Sequence, residues 1–520
     1  MNLHSRTPEV TVLGQGGHTL RRLRYCRTEV GGPAEERIAR TVFNDLGQVQ
    51  SSADARFIAE GASRSNFQYQ NSPGGQVLRT DSADAGVHHI LCDIEGRPMW
   101  QRDARGVTQR YAYYVLGRIT TRYEHPPEAG HEAVRERFVY GEDEPAETAK
   151  TKNLRGQLAR RYDPAGLVDH DRGYTLSGAI VRQIRRLLPV DTESDWRGDE
   201  EAAWQKPLEP TSYDSVWAYD AQGRGIRQTD AQGHVQDSGY DIRGRLKYSG
   251  VALSGKERRA VLIHQGYNAA GQKLRELSGN GVLTEYAYEP ETQRLLHVRA
   301  ARGSDKAVLQ ALSYDYDPVG NITALRDGSQ KAAYFRNQRT DGDKTYTYDS
   351  LYQLIGATGR ENAVTSPAPV DIDNPTAVTP IDPDHYAPYT RHYRYDAGGN
   401  LTRIQHQGSL KYARNLTIAA DSNQVTRIQR ENAAPADFTM TYDECGNQRQ
   451  LDSGQELTWN GLNRLRQVIA VARAQEEDDR ESYQYDGGGM RVRKEQRLWT
   501  GKTVQRREVI YLPGLELRRT

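Results

Sequence analysis

Tyr240-Asp241-Ile242-Arg243-Gly244 is an aromatic residue, an aspartate, two variable residues and a glycine, and the phrase returns down most of the chain. It stands at Tyr162-Asp163-x-x-Gly166, Tyr219-Asp220-x-x-Gly223, Tyr267-Asn268-x-x-Gly271, Tyr316-Asp317-x-x-Gly320, Tyr395-Asp396-x-x-Gly399, Tyr442-Asp443-x-x-Gly446 and Tyr485-Asp486-x-x-Gly489. A repeat sets the architecture before any other signal. Here Asp caps the backbone of a turn, Gly takes the positive-φ position three residues on, and Tyr ends the strand before it. Each copy therefore reads as a β-hairpin. Alternation around the turns, as in Thr284-Glu285-Tyr286-Ala287-Tyr288 and Thr345-Tyr346-Thr347-Tyr348, supports strands. Degenerate copies such as Phe43-Asn44-x-x-Gly47, Cys92-Asp93-x-x-Gly96, Arg102-Asp103-x-x-Gly106, Thr229-Asp230-x-x-Gly233 and Trp459-Asn460-x-x-Asn463 extend the array from about residue 40 to 490. At Glu289 and Asp349 the Gly is absent, with Thr292 and Tyr352 in its place, so those two turns are expected to differ.

With 520 residues, the chain exceeds the usual limit for one core, yet an array lengthens a sheet without needing separate cores. Only 36% of residues are hydrophobic, and 31 Tyr stand against 6 Phe, which is lean for a solid globule. Mean hydropathy is −0.83. The reading that accounts for this is an all-β, thin curved wall, wet on both faces, in which Tyr packs its ring and sends its hydroxyl to water. A net charge of +1 gives no bias toward nucleic acid or acidic membranes. Short basic runs, Arg182–Arg186 and Arg491-Val492-Arg493-Lys494, read as solvated strand or loop faces. Cys26, Cys92 and Cys445 have no CxxC spacing and indicate neither a disulfide scaffold nor zinc. The first residues lack a signal-peptide core and no stretch reaches membrane-span length, so synthesis as a soluble cytoplasmic protein without direct membrane insertion is expected, with any export by another route.

Val10–Leu13 and Leu20–Tyr25, joined through Gly14-Gln15-Gly16-Gly17, read as the first strand pair. Three segments break the rhythm: 141–152; 191–210 with Trp196 and Trp204; and 361–390. The last holds Pro367, Pro369, Pro375, Pro380, Pro383 and Pro388 and reads as a surface loop. Residues 180–188 are compatible with one or two helical turns, and 474–480 with a charged hairpin tip.

No catalytic, cofactor-binding or metal-ligating set emerges. Gly250 to Lys256 has phosphate-loop spacing, but Glu257 occupies the place of the magnesium-holding hydroxyl. An Asp at the same place in every unit is a turn cap more simply than half of a glycosidase pair. His88 and His89 point to opposite faces of one strand, which does not suit a metal. The site residues singled out are therefore structural: the Tyr, Asp and Gly of the repeat turns.

The repeat resembles the YD or Rhs repeat, and longer phrases resemble one branch, the TccC-like C component of bacterial ABC toxin complexes. They are Thr7–Leu13, Asn280-Gly281-Val282, Tyr288–Leu295, Tyr314–Asn321, Tyr346–Leu354, Ala357–Glu361 and Tyr511–Leu517. The resemblance implies a spiral of antiparallel hairpins forming part of a hollow shell. It implies a B component as partner, a pentameric A-component channel reached through it, and an unfolded cytotoxic effector held inside until translocation. Residues 1–40 would join the partner's sheet and 41–520 would form the shell wall, with release as part of a toxin complex. Family members continue past the phrase like Tyr511–Leu517 into an aspartyl autoprotease core and an effector. Those regions lie beyond Thr520, so no catalytic residue carries over and a noncatalytic shell subunit is expected. The alternative is an extracellular adhesion or carbohydrate-binding module, because Tyr-rich repeat surfaces can bind sugars.

Overall fold

The computed structural model describes residues 3–61, 64–335, 338–363, 385–431, 437–451 and 453–520. The fold is all-β: antiparallel strands, most joined by short turns, with three short α-helices and one 3-10 turn among the described residues. It divides into two compact units, residues 1–67 with 262–439, and residues 68–261 with 440–520.

In the first unit Val10–Leu13, Thr19–Cys26, Glu35–Phe43 and Val49–Ala53 form a meander, as the opening strand pair predicts. Its later strands run from Lys273–Ser278 to Asp437–Thr439. The two stretches meet through turns. Ser350 Oγ accepts from Arg27 N at 2.7 Å and donates to Tyr25 O at 2.7 Å. Arg56, on the helix Ala55–Ala59, donates to Ala419 O at 2.8 Å and Ser422 O at 2.6 Å.

In the second unit thirteen strands, from Val77–Ser82 to Leu246–Ala252, pair in strict chain order, each antiparallel to the next. Six further strands, from Glu456–Trp459 to Leu515–Arg519, form a separate sheet.

The repeat turn has a common geometry, shown by the Asp220 turn. Asp220 N donates to Arg224 O at 3.0 Å and Gly223 N to Asp220 O at 3.0 Å, with Gly223 at φ +78°. Asp220 Oδ1 accepts from Gln222 N and Arg224 N, at 2.9 and 3.0 Å. Only a residue tolerant of positive φ closes this turn without strain. Tyr352 nevertheless adopts φ +67°, Tyr352 N reaches Asp349 O, and Asp349 Oδ1 accepts from Leu351 N and Gln353 N. The Asp349 turn therefore matches the others, contrary to expectation. The Glu289 turn does differ: Gln293 takes φ +61° and Glu289 N pairs with Arg294 O, one residue further on.

The tyrosine hydroxyls correct a second expectation, because they do not simply face water. Tyr219 donates to Ile180 O at 2.8 Å, Tyr240 to Gly225 O at 2.8 Å, Tyr316 to Leu295 O at 2.7 Å and Tyr395 to Leu354 O at 2.9 Å. The acceptor lies just past the preceding turn on the same rim, so each Tyr ties its own turn to the one before. Arginines add to the tie: Arg224 binds Asp220 at 2.6 Å and lies 5.1 Å from the centre of the Tyr240 ring.

Three further expectations are revised. Residues 180–188 contain a strand, Arg182–Leu187, and no helix, because its neighbours Gly166–Asp169 and Ser212–Tyr219 pair with it on both sides. Pro388 lies in the strand Tyr386–Tyr395, opposite Arg360. It sits outside the stretch paired with Leu401–Gln407, which begins at Thr390, so its missing N–H costs that ladder nothing. The rest of the proline-rich segment, 364–384, lies outside the described residues. Arg185 and Arg493 are buried, although their basic runs read as solvated; each is paired with carboxylates described below.

Replacing Tyr316 by Phe keeps the ring and removes the bond to Leu295 O. The expected loss is about 1 kcal/mol, read as faster amide exchange across the Asp317 turn with little change elsewhere.

Candidate functional site

Every repeat turn singled out in the sequence forms from its own residues, and none brings two carboxylates together for chemistry. Asp241 repeats the Asp220 pattern, with Arg245 Nε at 2.8 Å. Asp317, Asp396 and Asp443 use Asn instead: Asn321, Asn400 and Asn447 donate side-chain amides at 2.7, 2.9 and 2.9 Å. Backbone and side-chain donation by Arg224 and Arg245 hold Asp220 and Asp241 below the usual carboxylate range. Carboxylates so held are poor proton donors near neutral pH. The residue after each glycine was missed as a functional position. Its signal was in the sequence, since Arg, Asn or Gln follows Gly223, Gly244, Gly271, Gly320, Gly399 and Gly446.

One turn departs from the pattern. Asp163 and Gly166 are a paired couple, so Pro164-Ala165 is a two-residue hairpin tip. Asp163 and Tyr162 are fully buried. Arg185 grips the Asp163 carboxylate with both terminal nitrogens, at 2.7 and 2.9 Å, and Gly487 N reaches Asp163 Oδ2 at 3.3 Å. Tyr162 donates to Glu201 at 2.7 Å rather than to a strand carbonyl. Its ring meets Trp196 and Trp204 edge-on, at 5.3 Å each, in an apolar cluster with Val134, Leu167, Leu188 and Leu208. The segment 191–210, which interrupts the repeat, thus supplies Trp196, Trp204 and Leu208 to a core cluster of the second unit, and its two tryptophans were the sequence signal.

Around this core the second unit carries buried charge. Arg122 and Arg161 flank Glu136 at 3.0 and 2.6 Å, and burial still pushes that carboxyl up. Arg493 binds Glu209 at 2.7 Å, Glu508 at 2.9 Å and Leu188 O at 2.9 Å. A cleft of about 510 Å³ includes Arg122, Arg135, Glu124, Glu193, Trp459 and Tyr483 in its walls. Arg135 binds both Glu124, at 2.8 Å, and Glu193, at 3.0 Å. Carboxylates neutralised in this way suit packing of charged segments better than acid–base catalysis. Among the described residues no group of three or more His, Cys, Asp or Glu could hold a metal. No described helix is long and apolar enough to cross a membrane.

A different feature stands at the N-terminal edge of the first unit. Val10–Leu13 pairs only with Thr19–Cys26 among the described residues, and all four of its residues are exposed. A bare strand edge with apolar side chains is a template for another strand.

Two predictions follow from the buried groups. Arg185→Ala leaves Asp163 buried without its cation and is expected to cost about 3–5 kcal/mol; in chemical denaturation, the pair Arg185→Met with Asp163→Leu should lose less than that single change. His170, with Nδ1 buried and without a hydrogen-bond partner, has its pKa lowered by burial to about 4 from 6.5. Below pH 6.5 the unfolded chain binds a proton that the folded site refuses, so stability falls as pH drops from 6.5 to about 4, by roughly 3 kcal/mol. His170→Phe should flatten that part of a stability–pH curve.

No protein-family model matches the chain. Toxin subunits YenC1 and YenC2 of Yersinia entomophaga are each 36% identical to it, over 99% and 100% of its length. The chain spans about half the length of these relatives, 54% and 56%. A crystal structure of TcdB2-TccC3 superposes with a TM-score of 0.91 at 38% identity, covering 99% of this chain and 25% of that one. The Photorhabdus luminescens Tc holotoxin pore gives 0.91 at 38% identity, with 99% and 24% covered.

Proposed function

We propose that the chain, 36% identical to toxin subunits YenC1 and YenC2 over nearly its whole length, is a TccC-like, YD/Rhs-repeat protein and a noncatalytic wall subunit of an ABC toxin complex. It joins a B component and encloses an unfolded cytotoxic effector for passage through an A-component channel, and it is released as part of that complex. The observation that carries this reading is the match to a TcdB2-TccC3 structure over 99% of the chain. The lean interior agrees with it: outside the Tyr162–Trp196–Trp204 cluster, strands such as Leu295–Arg302 and Lys344–Tyr348 are mostly half-buried or exposed. A wall with few apolar residues offers an unfolded passenger little to adhere to.

The repeat turns of Asp163, Asp220, Asp241, Asp317, Asp396 and Asp443 serve in this reading as the wall's structural fastenings. Residues 1–40 carry the junction to the B component, with Val10–Leu13 accepting a partner strand by backbone hydrogen bonds. Residues 41–520 form the wall. No specific observation favours the carbohydrate-binding alternative.

Co-expression with the B component, followed by small-angle scattering, tests the proposal. The expected result is a stoichiometric complex with a shell-like scattering minimum. A monodisperse chain that never binds the B component would overturn it. Replacing Val12 by Pro removes a backbone donor from the edge strand and should weaken the complex at least tenfold if that strand is the junction.

A further inference from the structure

A second cleft of the second unit, of about 460 Å³, lies where the thirteen-strand meander meets the six-stranded sheet. That volume is in the range of small-molecule sites. One face of the meander supplies Arg161, Val168 and Arg185, which stand side by side because Arg161 pairs with Val168 and Val168 with Arg185. His170 and Gln183 lie two residues further along their strands, on the same face. The six-stranded sheet supplies Arg491, Tyr511 and Leu512, from the strands Arg491–Trp499 and Val504–Leu512.

The cleft is marked by unused hydrogen-bonding capacity. His170 is 6% exposed, and its Nδ1 has no partner. Arg185 commits both terminal nitrogens to Asp163, while its buried Nε has no partner. Among the described residues, nothing hydrogen-bonds the Gln183 amide, the Tyr511 hydroxyl or the Arg491 guanidinium. Buried polar groups are nearly always paired, so several unpaired groups around one cavity point to a missing partner. Arginine, glutamine amide and tyrosine hydroxyl groups all donate, so that partner must accept. Burial keeps His170 neutral at pH 7, and its ring then carries one N–H to give.

Charge and shape narrow the partner further. Arg161 is held by Glu136 and Arg185 by Asp163, whereas Arg491 has no carboxylate at ion-pair distance. Arg491 lies instead 4.8 Å from the centre of the Tyr511 ring and 5.5 Å from that of Tyr483. A guanidinium lying against rings keeps its N–H edge for a carboxylate fork. Asp486, also in the lining, caps its own turn through Met490 N at 2.8 Å. Its charge makes a doubly charged phosphate a poorer fit than a single carboxylate. Leu158, Val168, Val492 and Leu512 complete the walls and suit an apolar body.

We propose that this cleft binds a small organic monocarboxylate, whose carboxylate pairs with Arg491 and accepts from the unpaired donors beside it, with its apolar body against Val168 and Leu512.

The test titrates hexanoate into the full chain, followed by calorimetry and by the ring signals of protein labelled with nitrogen-15 histidine, in which His170→Phe identifies the His170 signal. The expected result is saturable binding with a dissociation constant of about 1 mM or tighter, together with a shift of the His170 signal. Acetate, which lacks the body, hexan-1-ol, which lacks the carboxylate, and hexyl phosphate, which is doubly charged, should each bind at least tenfold more weakly. Arg491 is exposed and Gln183 half-buried, so Arg491→Gln and Gln183→Leu should leave circular dichroism unchanged. Arg491→Gln should bind hexanoate at least tenfold more weakly, and Gln183→Leu more weakly than wild type. Absence of saturable binding, an unmoved His170 signal, or wild-type affinity in both variants would overturn the proposal. Equal or tighter binding of hexan-1-ol or hexyl phosphate would overturn the assignment to a monocarboxylate. None of these outcomes alters the expected complex with the B component.

Discussion

The wall depends on a link between neighbouring turns: an aspartate fixes one turn, an arginine or asparagine returns to that aspartate, and the tyrosine of the following turn bonds to the strand just past it. Asp220, Arg224 and Tyr240 form one such link, with the Tyr240 hydroxyl on Gly225 O. Each bond is worth little by itself. Repeated from turn to turn, the link lets a sheet with little apolar burial hold a fixed pitch. It also explains why tyrosine outnumbers phenylalanine, since only tyrosine carries the hydroxyl that closes it.

Interrupting this regular wall is one region of a different kind. The Tyr162 phrase is a repeat in sequence, but its tyrosine turns inward to Trp196 and Trp204 and its aspartate is gripped by Arg185. Burial of ion pairs such as Arg185–Asp163 and Arg493–Glu209 adds little net stability, while breaking one leaves a charge stranded. Their contribution is to register. Arg493–Glu209 ties the strand Arg491–Trp499 to the segment after Arg182–Leu187, and Arg185 holds in place the Asp163 carboxylate that Gly487 N reaches.

The repeating part of the fold was legible because each turn is decided locally, by a cap and a positive-φ residue three positions apart. Legibility failed where a distant partner decides. Tyr352 holds a glycine's backbone because Asp349 supplies the same cap bonds and the residue stacks on His4 at 5.3 Å. Arg182–Leu187 has mixed periodicity and becomes a strand because strands lie on both sides of it. Arg493 is buried because Glu209, 284 positions away in sequence, meets it. No local pattern announces such a meeting. Nor does strand pairing within the meander reveal where residues 440–520 return.

That return has a consequence for the order of assembly. The tyrosine links join residues some fifteen to forty positions apart, as in Tyr240 with Gly225 and Tyr219 with Ile180, so the meander can form hairpin by hairpin while the chain is being made. The contacts that residues 440–520 make with it span about three hundred positions, as for Gly487 with Asp163 and Gln228 with Pro513. At ribosomal rates of ~5–20 residues per second, the turn at Asp163 waits roughly a quarter of a minute to a minute for its partner, 324 positions on. During that interval Asp163 and Arg185 neutralise each other, which keeps a preformed and uncovered edge from presenting a lone charge or a free carboxylate to the wrong segment.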